Sequence, residues 1–476
     1  MHGQRCDLAV VGHGAAGLAA ALAAAEASPG ARIVVLERSA EAEAGGGTRW
    51  SPSNMRMKST GEVVPGFVAD LMSASGGRGN RAYFARLAQE APEAVRWVER
   101  HGVQFRSPDY YLSKGPPRIQ PVGGGASIVS ALASAARLAG VEFLYEYRAE
   151  KLVRGTSEKI EGIEAKRSNG ASFSIAANAV VLASGGFQGS PSMLREHLGE
   201  GAQSLRPISR GSGFNEGEGI RMALEAGALA AGDWRGMHSE PVDPRSKGPA
   251  PVVLVYPYGI VVDTEGRRFF DEGRGLVHET WEEFSRAIHF STPQRKAWAI
   301  LDSRLFDIAG FERAIRSEVP PVMADSIEAL AAQTGIPREA LRQTIDEYNA
   351  ACIGEAARFD ATRADGLEAS RALMPPKSNW ARSLDRPPFL AWPLVGAIAY
   401  TFGGLATNDS AEVLGAKGPI PGLYAAGEIT GHFHASAPNS VAVMRALVFG
   451  RIAGRAAMAA LKTAAKTNQA ITRQAR

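Results

Sequence analysis

Cysteine is scarce in this chain, which has only Cys6 and Cys352 among its 476 residues. Neither a Cys-x-x-Cys pair nor a spacing typical of metal ligands occurs, so the sequence predicts no iron–sulfur cluster, no attached haem and no zinc site. Runs of basic residues are also missing, because the net charge of +4 comes mostly from scattered arginines. Since a nucleic-acid interface needs a clustered basic surface, that class of partner is excluded.

Long apolar runs are missing as well. The sequence shows neither an apolar leader nor an apolar span of 18 residues, so we expect a soluble cytoplasmic protein without integral membrane association. Hydrophobic residues make up 45% and charged residues 21% of the chain, as is usual for a globular enzyme. The length is sufficient for two or three domains.

A glycine fingerprint near the start of the chain is the most informative feature present. An apolar strand over 7–11 leads into Gly12-His-Gly14-Ala-Ala-Gly17, an alanine-rich helix follows, and a second strand ends at Glu37. Gly12 permits a tight turn, Gly14 lets the backbone approach a pyrophosphate, and Gly17 lets the helix pack on the strand. The helix N-terminus attracts phosphates, and Glu37 accepts hydrogen bonds from ribose hydroxyls. The pattern predicts a dinucleotide site without distinguishing FAD from NAD.

A second signal lies near the other end of the chain, where an apolar strand enters a Gly427-Glu428 turn before a further helix. Paired with the fingerprint, this is the pattern of flavin enzymes whose C-terminal segment returns to the isoalloxazine ring. Glu428 then binds a ribityl hydroxyl, and the positive end of the next helix faces the N1/O2 edge, where it stabilises anionic reduced flavin. The two signals together favour FAD.

The patterns between these signals divide the chain into four segments. They predict the first part of an FAD-binding domain, an inserted capping and substrate domain, the return of the FAD-binding domain and a frayed polar tail: residues 1–236, 237–385, 386–461 and 462–476. Periodicity predicts helices at 81–101, 126–139 and 439–461 and a strand at 252–262. We therefore predict an α/β fold, with a Rossmann-like FAD-binding domain and an inserted α+β cap.

These motifs resemble those of the soluble fumarate reductase/succinate dehydrogenase flavoprotein family over nearly the whole chain. The matching segments lie at 12–17, 45–48, 183–186, 217–219, 266–272, 401–404 and 427–428. Segments 46–49 and 440–454 are most similar to the tricarballylate dehydrogenase-like members. The resemblance implies FAD, a capping domain, and hydride transfer between flavin N5 and a carbon next to an activating group.

The fingerprint and the resemblance together assign a set of residues to FAD. These are Gly12, Gly14, Ala15, Ala16, Gly17, Glu37, Arg38, Gly45, Gly46, Gly47, Thr48, Arg49, Val153, Ala183, Ser184, Gly185, Gly186, Glu218, Gly427, Glu428, Asn439, Ser440 and Val441. Membrane-bound members of the family attach FAD through a histidine in the loop after Glu37. This chain has no histidine in that loop, which implies that FAD is bound non-covalently.

Two dicarboxylate anchors of the family differ in this chain. Fumarate reductases place a histidine before the Thr-x-Gly-Gly turn, where this chain has Tyr400. They place an arginine in a His-Gly-Ala-Asn-Arg segment, where this chain has His434-Ala-Ser-Ala-Pro-Asn439. The resemblance therefore disfavours fumarate and succinate as substrates.

The candidate catalytic residues also come from the resemblance. Arg274 and Arg286 are alternatives for the capping-domain arginine that donates a proton, with a solvated arginine as the other reading of each. His238 matches a substrate-binding histidine, and Tyr400 is a plausible acid or donor to a carbonyl, although structural roles stay open for both. The candidate substrate contacts are His432, His434, Arg445, Tyr110 and Tyr111. The His-x-His spacing has no acidic or cysteine partner nearby, so no metal is predicted.

The predicted function is that of an FAD-dependent dehydrogenase of CH–CH bonds (EC 1.3 type). It would desaturate a small substrate α,β to a carboxylate or carbonyl, with a tricarballylate-like acid favoured. A ketone or 3-ketosteroid-type Δ1-dehydrogenase and an enoate reductase running in reverse stay open. A monooxygenase or disulfide reductase would need a second fingerprint or a redox Cys-x-x-Cys, and neither occurs. The expected partners are a small-molecule substrate and an unidentified electron acceptor or donor, for a monomer or homodimer.

Overall fold

The computed structural model describes residues 3–109, 112 and 115–474. Tyr110 and Tyr111, two of the predicted substrate contacts, lie outside the described residues. The helices are α1 (Ala15–Ala27), α2 (Gly46–Arg49), α3 (Phe67–Ala74), α4 (Arg81–Arg100), α5 (Gly124–Leu138), α6 (Pro191–Leu198), α7 (Glu218–Glu225), α8 (Val277–Ser291), α9 (Ile327–Thr334), α10 (Arg338–Ala351) and α11 (Ala442–Gln474).

The strands form two large sheets and several short pairs. They are β1 (Gly3–Val11), β2 (Ile33–Glu37), β3 (Met57–Ser59), β4 (Glu62–Val63), β5 (Phe105–Arg106), β6 (Gln120–Pro121), β7 (Glu142–Tyr145), β8 (Tyr147–Arg154), β9 (Ile160–Arg167), β10 (Ser172–Leu182), β11 (Arg206–Pro207), β12 (Ala230–Ala231), β13 (Met237–Val242), β14 (Ile260–Asp263), β15 (Ala297–Leu301), β16 (Val322–Ala324), β17 (Phe389–Thr401), β18 (Gly404–Leu405), β19 (Glu412–Gly415) and β20 (Gly418–Ala425).

The first sheet is built around apolar strands, of which β2 is buried along its whole length. Its strand order is β19-β20-β10-β1-β2-β7, and the β8–β9 hairpin joins it through β10. Strands β20, β10, β1, β2 and β7 pair in parallel. Parallel strands end at one edge of a sheet, where open α/β folds bind their ligands. The turns that follow β1, β2, β10 and β20 therefore converge at that edge.

Helix α1 owes its alanine-rich sequence to a close contact with α11. Residues 15–25 of α1 are all buried. A Cβ on Gly450 would lie 2.4 Å from the carbonyl oxygen of Ala16, and a Cβ on Gly454 would lie 2.1 Å from that of Ala20. Only small residues allow two helices to approach so closely. This contact places the first turn of α11 beside the glycine fingerprint.

The second sheet is organised by β17. This strand pairs with β11, β13, β15 and β16, and β14 extends the sheet from β15. At its far end β17 reaches the first sheet, because the Thr401 N–H donates to Glu428 Oε1 at 3.1 Å. The predicted boundary at residue 385 thus falls before the central strand of the capping sheet, which is continuous with the cofactor side.

Four predicted elements can be compared directly with the structure. Helices α4 and α5 match the predictions at 81–101 and 126–139 within two residues. The predicted strand at 252–262 is wrong in its first part, where a 3₁₀ turn at Tyr256–Tyr258 precedes β14. Pro257 has no N–H to donate to a sheet ladder.

The predicted end of the last helix at 461 is also wrong, because α11 continues to Gln474 and residues 462–474 are helical rather than frayed. Residues 462–474 contain neither glycine nor proline, so nothing in the backbone chemistry stops the helix. Within the described part of the chain, no helix has the length and apolar character needed to cross a membrane.

Candidate active site

A long cavity runs along the carboxyl edge of the first sheet and ends against the second sheet. It encloses about 1910 Å³, the space open to solvent included. The turns after β1, β2, β10 and β20 form one part of its wall, and β13, β17 and α8 form another. Because its wall extends from the fingerprint turn after β1 to β13, β17 and α8, the cavity can receive an extended ligand.

The fingerprint turn is shaped by close main-chain approaches. Gly12 has a φ of +109°, and a Cβ there would lie 2.4 Å from the carbonyl oxygen of Ala183. A Cβ on Gly17 would lie 1.9 Å from the carbonyl oxygen of Gly12. Gly14 differs, because the nearest atom to its Cβ would be the Gly45 oxygen at 3.8 Å. Gly14 thus borders open cavity, as a residue that faces a pyrophosphate must.

The ribose-binding candidates are held in fixed orientations. Glu37 Oε2 accepts from the His13 N–H at 3.0 Å, and Oε1 accepts from the Ser39 N–H at 2.8 Å. The carboxylate is buried but lines the cavity, which leaves lone pairs for a ligand hydroxyl. Arg38 beside it donates to Glu218 Oε1 at 2.5 Å. These contacts define the nucleotide end of the cavity.

Glu428 joins the two sheets at the middle of the cavity. Its carboxylate accepts from the Thr401 N–H at 3.1 Å, from Gln188 Nε2 at 3.2 Å and from Asn215 Nδ2 at 3.2 Å. Burial raises the pKa of Glu428, while the hydrogen bonds from Thr401 and Gln188 and the positive charge of Arg445 oppose the rise. A Cβ on Gly186 would lie 2.3 Å from Glu428 Oε1, so the glycine turn is required for this carboxylate to fit.

Two buried polar atoms along the nucleotide end fit a bound FAD. His13 Nδ1 and Trp50 Nε1 have no hydrogen-bond partner among the described residues, and both side chains belong to the cavity wall. Burial lowers the pKa of His13 to about 4, so its imidazole is neutral. An unpaired buried polar group costs about 1–3 kcal/mol. A polar dinucleotide in the cavity removes this cost.

Most of the residues predicted to bind FAD line this cavity. They are Gly12, Gly14, Ala15, Ala16, Glu37, Arg38, Gly46, Gly47, Thr48, Ala183, Ser184, Gly185, Glu218, Gly427, Glu428, Asn439, Ser440 and Val441. The other predicted residues lie behind the wall: Gly17, Gly45, Arg49, Val153 and Gly186. The three glycines there permit close packing, Arg49 donates to the carbonyl of Ala44 at 3.0 Å, and Val153 lies on β8.

The substrate end of the cavity is formed where β13 pairs with β17. His238 lies opposite Tyr400, and the register shifts between His238 and Ser239. Such a bulge re-aims side chains locally, and here His238, Glu240 and Tyr400 all line the cavity. The ring centroids of His238 and Tyr400 are 5.0 Å apart. The structure thus brings together two of the four predicted catalytic residues.

His238 is clamped between two carboxylates. Its Nδ1 lies 3.0 Å from Glu282 Oε2 on α8, and its Nε2 lies 3.1 Å from Glu240 Oε1. Burial opposes protonation, but the hydrogen bonds to both carboxylates raise the pKa of His238 to about 10. At neutral pH the side chain is therefore an imidazolium that donates to both glutamates. The three groups form a continuous hydrogen-bonded chain from the cavity to α8.

Arg445 supplies a buried cation to the same cavity. It is 1% exposed, its guanidinium lies 4.0 Å from the Phe433 ring centroid, and Nη1 donates to the carbonyl of Thr430 at 3.4 Å. Its Nε is unpaired, and no carboxylate of the described residues forms an ion pair with it. A ring face and a carbonyl contact the charge directly, and the charge also acts on Glu428, because it opposes the rise of that carboxyl's pKa.

Two further arginines line this end. Arg118 donates to the carbonyl of Asp109 at 3.2 Å, and Arg316 donates to the carbonyl of Pro249 at 3.2 Å. Neither was identified from the sequence, because each follows an irregular segment without a motif. Glu240 was also missed, although its position two residues after His238 on one strand was a usable signal.

The structure does not bring the predicted arginines of the cap to the cavity. The Arg274 side chain is 48% exposed and forms an ion pair with Glu283. Arg286 on α8 lies beside the Phe290 ring, 6.0 Å from its centroid. Neither side chain belongs to the cavity wall.

The two histidines after the Gly-Glu turn also lie outside the cavity wall. His432 stacks on Tyr83 with ring centroids 3.6 Å apart, and its Nε2 lies 2.8 Å from Thr407 Oγ1. Burial lowers the pKa of His432 to about 3, as expected of a neutral packed imidazole. His434 is half-buried, and burial lowers its pKa as well. The described residues contain no group of three or more His, Cys, Asp or Glu that could hold a metal ion.

A dinucleotide cavity capped by a second sheet defines the class of the protein, a flavin-dependent oxidoreductase with a capping domain. The chain belongs to the FAD binding domain family, whose model matches residues 7–440. The predicted fold class is confirmed. The protein is an FAD-dependent oxidoreductase that acts on CH–CH bonds.

Similar proteins share most of the chain. The probable fumarate reductase Ifc3 of Shewanella frigidimarina (strain NCIMB 400) is 28% identical over 463 residues, which cover 94% of this chain and 73% of that protein. The 4-oxocyclohexanecarboxylate 2-dehydrogenase of Sinomonas cyclohexanicum is 25% identical over 94% of this chain and 92% of that protein. The open conformation of a flavocytochrome c3 fumarate reductase superposes with a TM-score of 0.78 at 26% identity, over 96% of this chain and 78% of that chain.

Proposed function

We propose that the protein removes two hydrogens from a CH–CH bond α,β to a carboxylate of a small, tricarballylate-like acid. The observation that carries this proposal is the buried Arg445 guanidinium, which lines the cavity and forms no ion pair with a carboxylate of the described residues. A buried charge is costly unless an anion joins it. Arginine presents a fork that matches a carboxylate, so a substrate carboxylate supplies the missing partner.

FAD would occupy the other end of the cavity. The turn at 12–16 would hold the pyrophosphate, Glu37 the adenosine ribose and Glu428 a ribityl hydroxyl. When bound, FAD accepts a hydride from the substrate carbon. We propose non-covalent binding, because the loop after Glu37 has no histidine.

The proton from the neighbouring carbon needs an acceptor in the cavity wall, and we propose Glu240 for this role. The C–H electron pair forms the new double bond while the proton passes to a Glu240 oxygen. His238 connects this carboxylate to Glu282, whose side chain is 18% exposed, so the proton can move towards solvent. In the reverse direction the same groups deliver a proton, which corresponds to an enoate reductase.

A ketone substrate is the second candidate, favoured by Tyr400. Its hydroxyl lines the cavity and has no hydrogen-bond partner among the described residues. Burial raises the pKa of Tyr400, so the group stays protonated as a donor to a carbonyl. The relative from Sinomonas cyclohexanicum is named for a compound that carries both a ketone and a carboxylate.

Anaerobic mixing of the purified holoenzyme with candidate substrates tests the proposal. The panel contains tricarballylate, shorter dicarboxylates, a monocarboxylate and cyclic ketones, and the readout is bleaching of the oxidised flavin absorption. We expect tricarballylate to bleach the flavin fastest. Bleaching by ketones alone would transfer the assignment to the second candidate. If no acid bleaches it but an enoate reoxidises dye-reduced enzyme, the protein is a reductase.

The electron acceptor, the oligomeric state and the cytoplasmic location stay predictions. We propose a separate electron carrier as the acceptor, since no iron–sulfur or haem motif occurs in the sequence.

A further inference from the structure

A second pocket opens beside the substrate end of the cavity. It encloses about 1040 Å³, the space open to solvent included, and shares Pro52, Asn54, Arg118 and Arg316 with the wall of the main cavity. It lies between the β5–β6 hairpin and the 3₁₀ turn Phe311–Ala314 of the cap. Because the two cavities share four residues, a substrate held near the flavin can extend into the second pocket.

This outer arginine pocket, defined by Arg106, Arg118, Arg313 and Arg316, carries an excess of positive charge. Among the described residues that line it, Asp109 provides the only carboxylate. That carboxylate accepts from Arg313 Nη1 at 2.9 Å. Even without Arg118, the three guanidinium groups of Arg106, Arg313 and Arg316 line the pocket with this one described carboxylate.

The side chains of Arg106 and Arg316 contact neutral oxygens. Arg106 donates to Gln120 Oε1 from Nε at 3.1 Å and from Nη2 at 2.8 Å. Arg316 donates to the main-chain carbonyl of Pro249 at 3.2 Å. Neutral acceptors orient a guanidinium without cancelling its charge, so the pocket keeps a positive potential that attracts anions.

We infer that the outer arginine pocket binds a second carboxylate of the substrate, distal to the bond that reacts; this inference rests on the proposed function. Guanidinium forks bind carboxylates in a bidentate manner, and the shared wall connects the pocket to the reacting end. Asp109 then competes with the substrate for Arg313. Arg106 and Arg313 line only the outer pocket, so they determine specificity for polycarboxylates without contacting the reacting bond.

Comparing flavin reduction by a tricarboxylate with flavin reduction by a monocarboxylate distinguishes binding of a distal carboxylate from an effect on every substrate. In Arg106→Gln and Arg313→Gln we expect the KM for tricarballylate to rise about tenfold with kcat nearly unchanged, since one charged hydrogen bond is worth about that factor. The KM for the monocarboxylate should stay constant. Asp109→Asn should lower the KM for tricarballylate. Arg371→Gln, an exposed arginine outside both pockets, is the matched control.

A calorimetric titration of the oxidised holoenzyme with tricarballylate, and separately with inorganic phosphate, gives a readout independent of turnover. Suppose that acids reduce the wild-type flavin but that each substitution changes the KM values for the tricarboxylate and the monocarboxylate by the same factor. The pocket assignment is then wrong and the proposed function stands. If no acid reduces the flavin, but tricarballylate binds and both substitutions weaken its binding, the pocket assignment is supported and the proposed function is wrong. Phosphate binding tighter than tricarballylate, and lost in Arg106→Gln, would identify a phosphate subsite and overturn the carboxylate assignment.

Discussion

The two ends of the cavity are shaped in different ways. Main-chain atoms in close contact determine the shape of the nucleotide end, whereas charged side chains from separate elements determine the shape of the substrate end. Gly12 and Gly17 pack against carbonyl groups with no room for a Cβ. His238, Arg316 and Arg445 instead come from β13, a loop of the cap and α11. The first end depends on steric fit and the second on charge, so mutations should separate cofactor binding from turnover.

The largest effect is expected from Gly17→Ala. The new Cβ would lie 1.9 Å from the Gly12 carbonyl oxygen, a main-chain contact that can be relieved only by moving the phosphate turn. We expect the purified variant to contain essentially no FAD, measured by its flavin absorbance relative to protein. Gly213→Ala is the control, because a Cβ there meets no atom within 4 Å.

Gly14→Ala is a second variant that tests the phosphate turn even if Gly17→Ala does not fold. Its Cβ has only the Gly45 oxygen at 3.8 Å as a neighbour, so the apoprotein should fold normally. The methyl group would nevertheless stand in the open space proposed for the pyrophosphate, and FAD affinity should fall about tenfold or more. Full FAD occupancy with wild-type affinity would contradict the assignment of this turn.

Arg445→Gln should have the next largest effect, on turnover rather than on FAD content. Removing a buried charge that faces a reacting anion costs roughly 100-fold in kcat at comparable sites. Arg445→Lys should recover part of this loss, since it keeps the charge without the fork. Arg371→Gln serves again as the exposed control. Equal loss of FAD and turnover in Arg445→Gln would show that the two ends are not separable.

His238 should make the stability of the substrate end dependent on pH. Its hydrogen bonds to Glu240 and Glu282 overcome burial and raise its pKa to about 10, against about 6.5 in an unfolded chain. A group whose pKa is raised by folding stabilises the native state fully below the unfolded value, and this contribution disappears as pH rises through the folded value.

The difference in thermal midpoint between wild type and His238→Gln should therefore decrease as the pH rises from 6.5 to 10. Midpoints measured for both proteins at pH 6 and at pH 10 in one ionic strength test this expectation. A difference between them that does not change with pH would mean that His238 is neutral in the folded protein.

The difference between the two ends also explains how well each could be predicted from the sequence. Gly12, Glu37 and Glu428 stand in short contiguous patterns that record strand, turn and helix together, so local sequence was sufficient to place them at the cavity. Arg118 and Arg316 are brought to the substrate end by the long-range packing of a hairpin against the cap, which leaves no periodic signal. Arg274 follows the family spacing only approximately, and its position depended on how the chain turns into α8.

Arg274→Gln should have the smallest effect of these substitutions. The side chain is 48% exposed, lies outside the cavity wall and forms an ion pair with Glu283, and exposed pairs contribute about 0–1 kcal/mol. We expect turnover and FAD content within about twofold of wild type, measured beside Glu283→Gln, which removes the same pair from the other side. A loss of turnover in Arg274→Gln without a loss in Glu283→Gln would show that Arg274 reaches the reacting bond, and the substrate end would then include the cap arginine that its family position suggests.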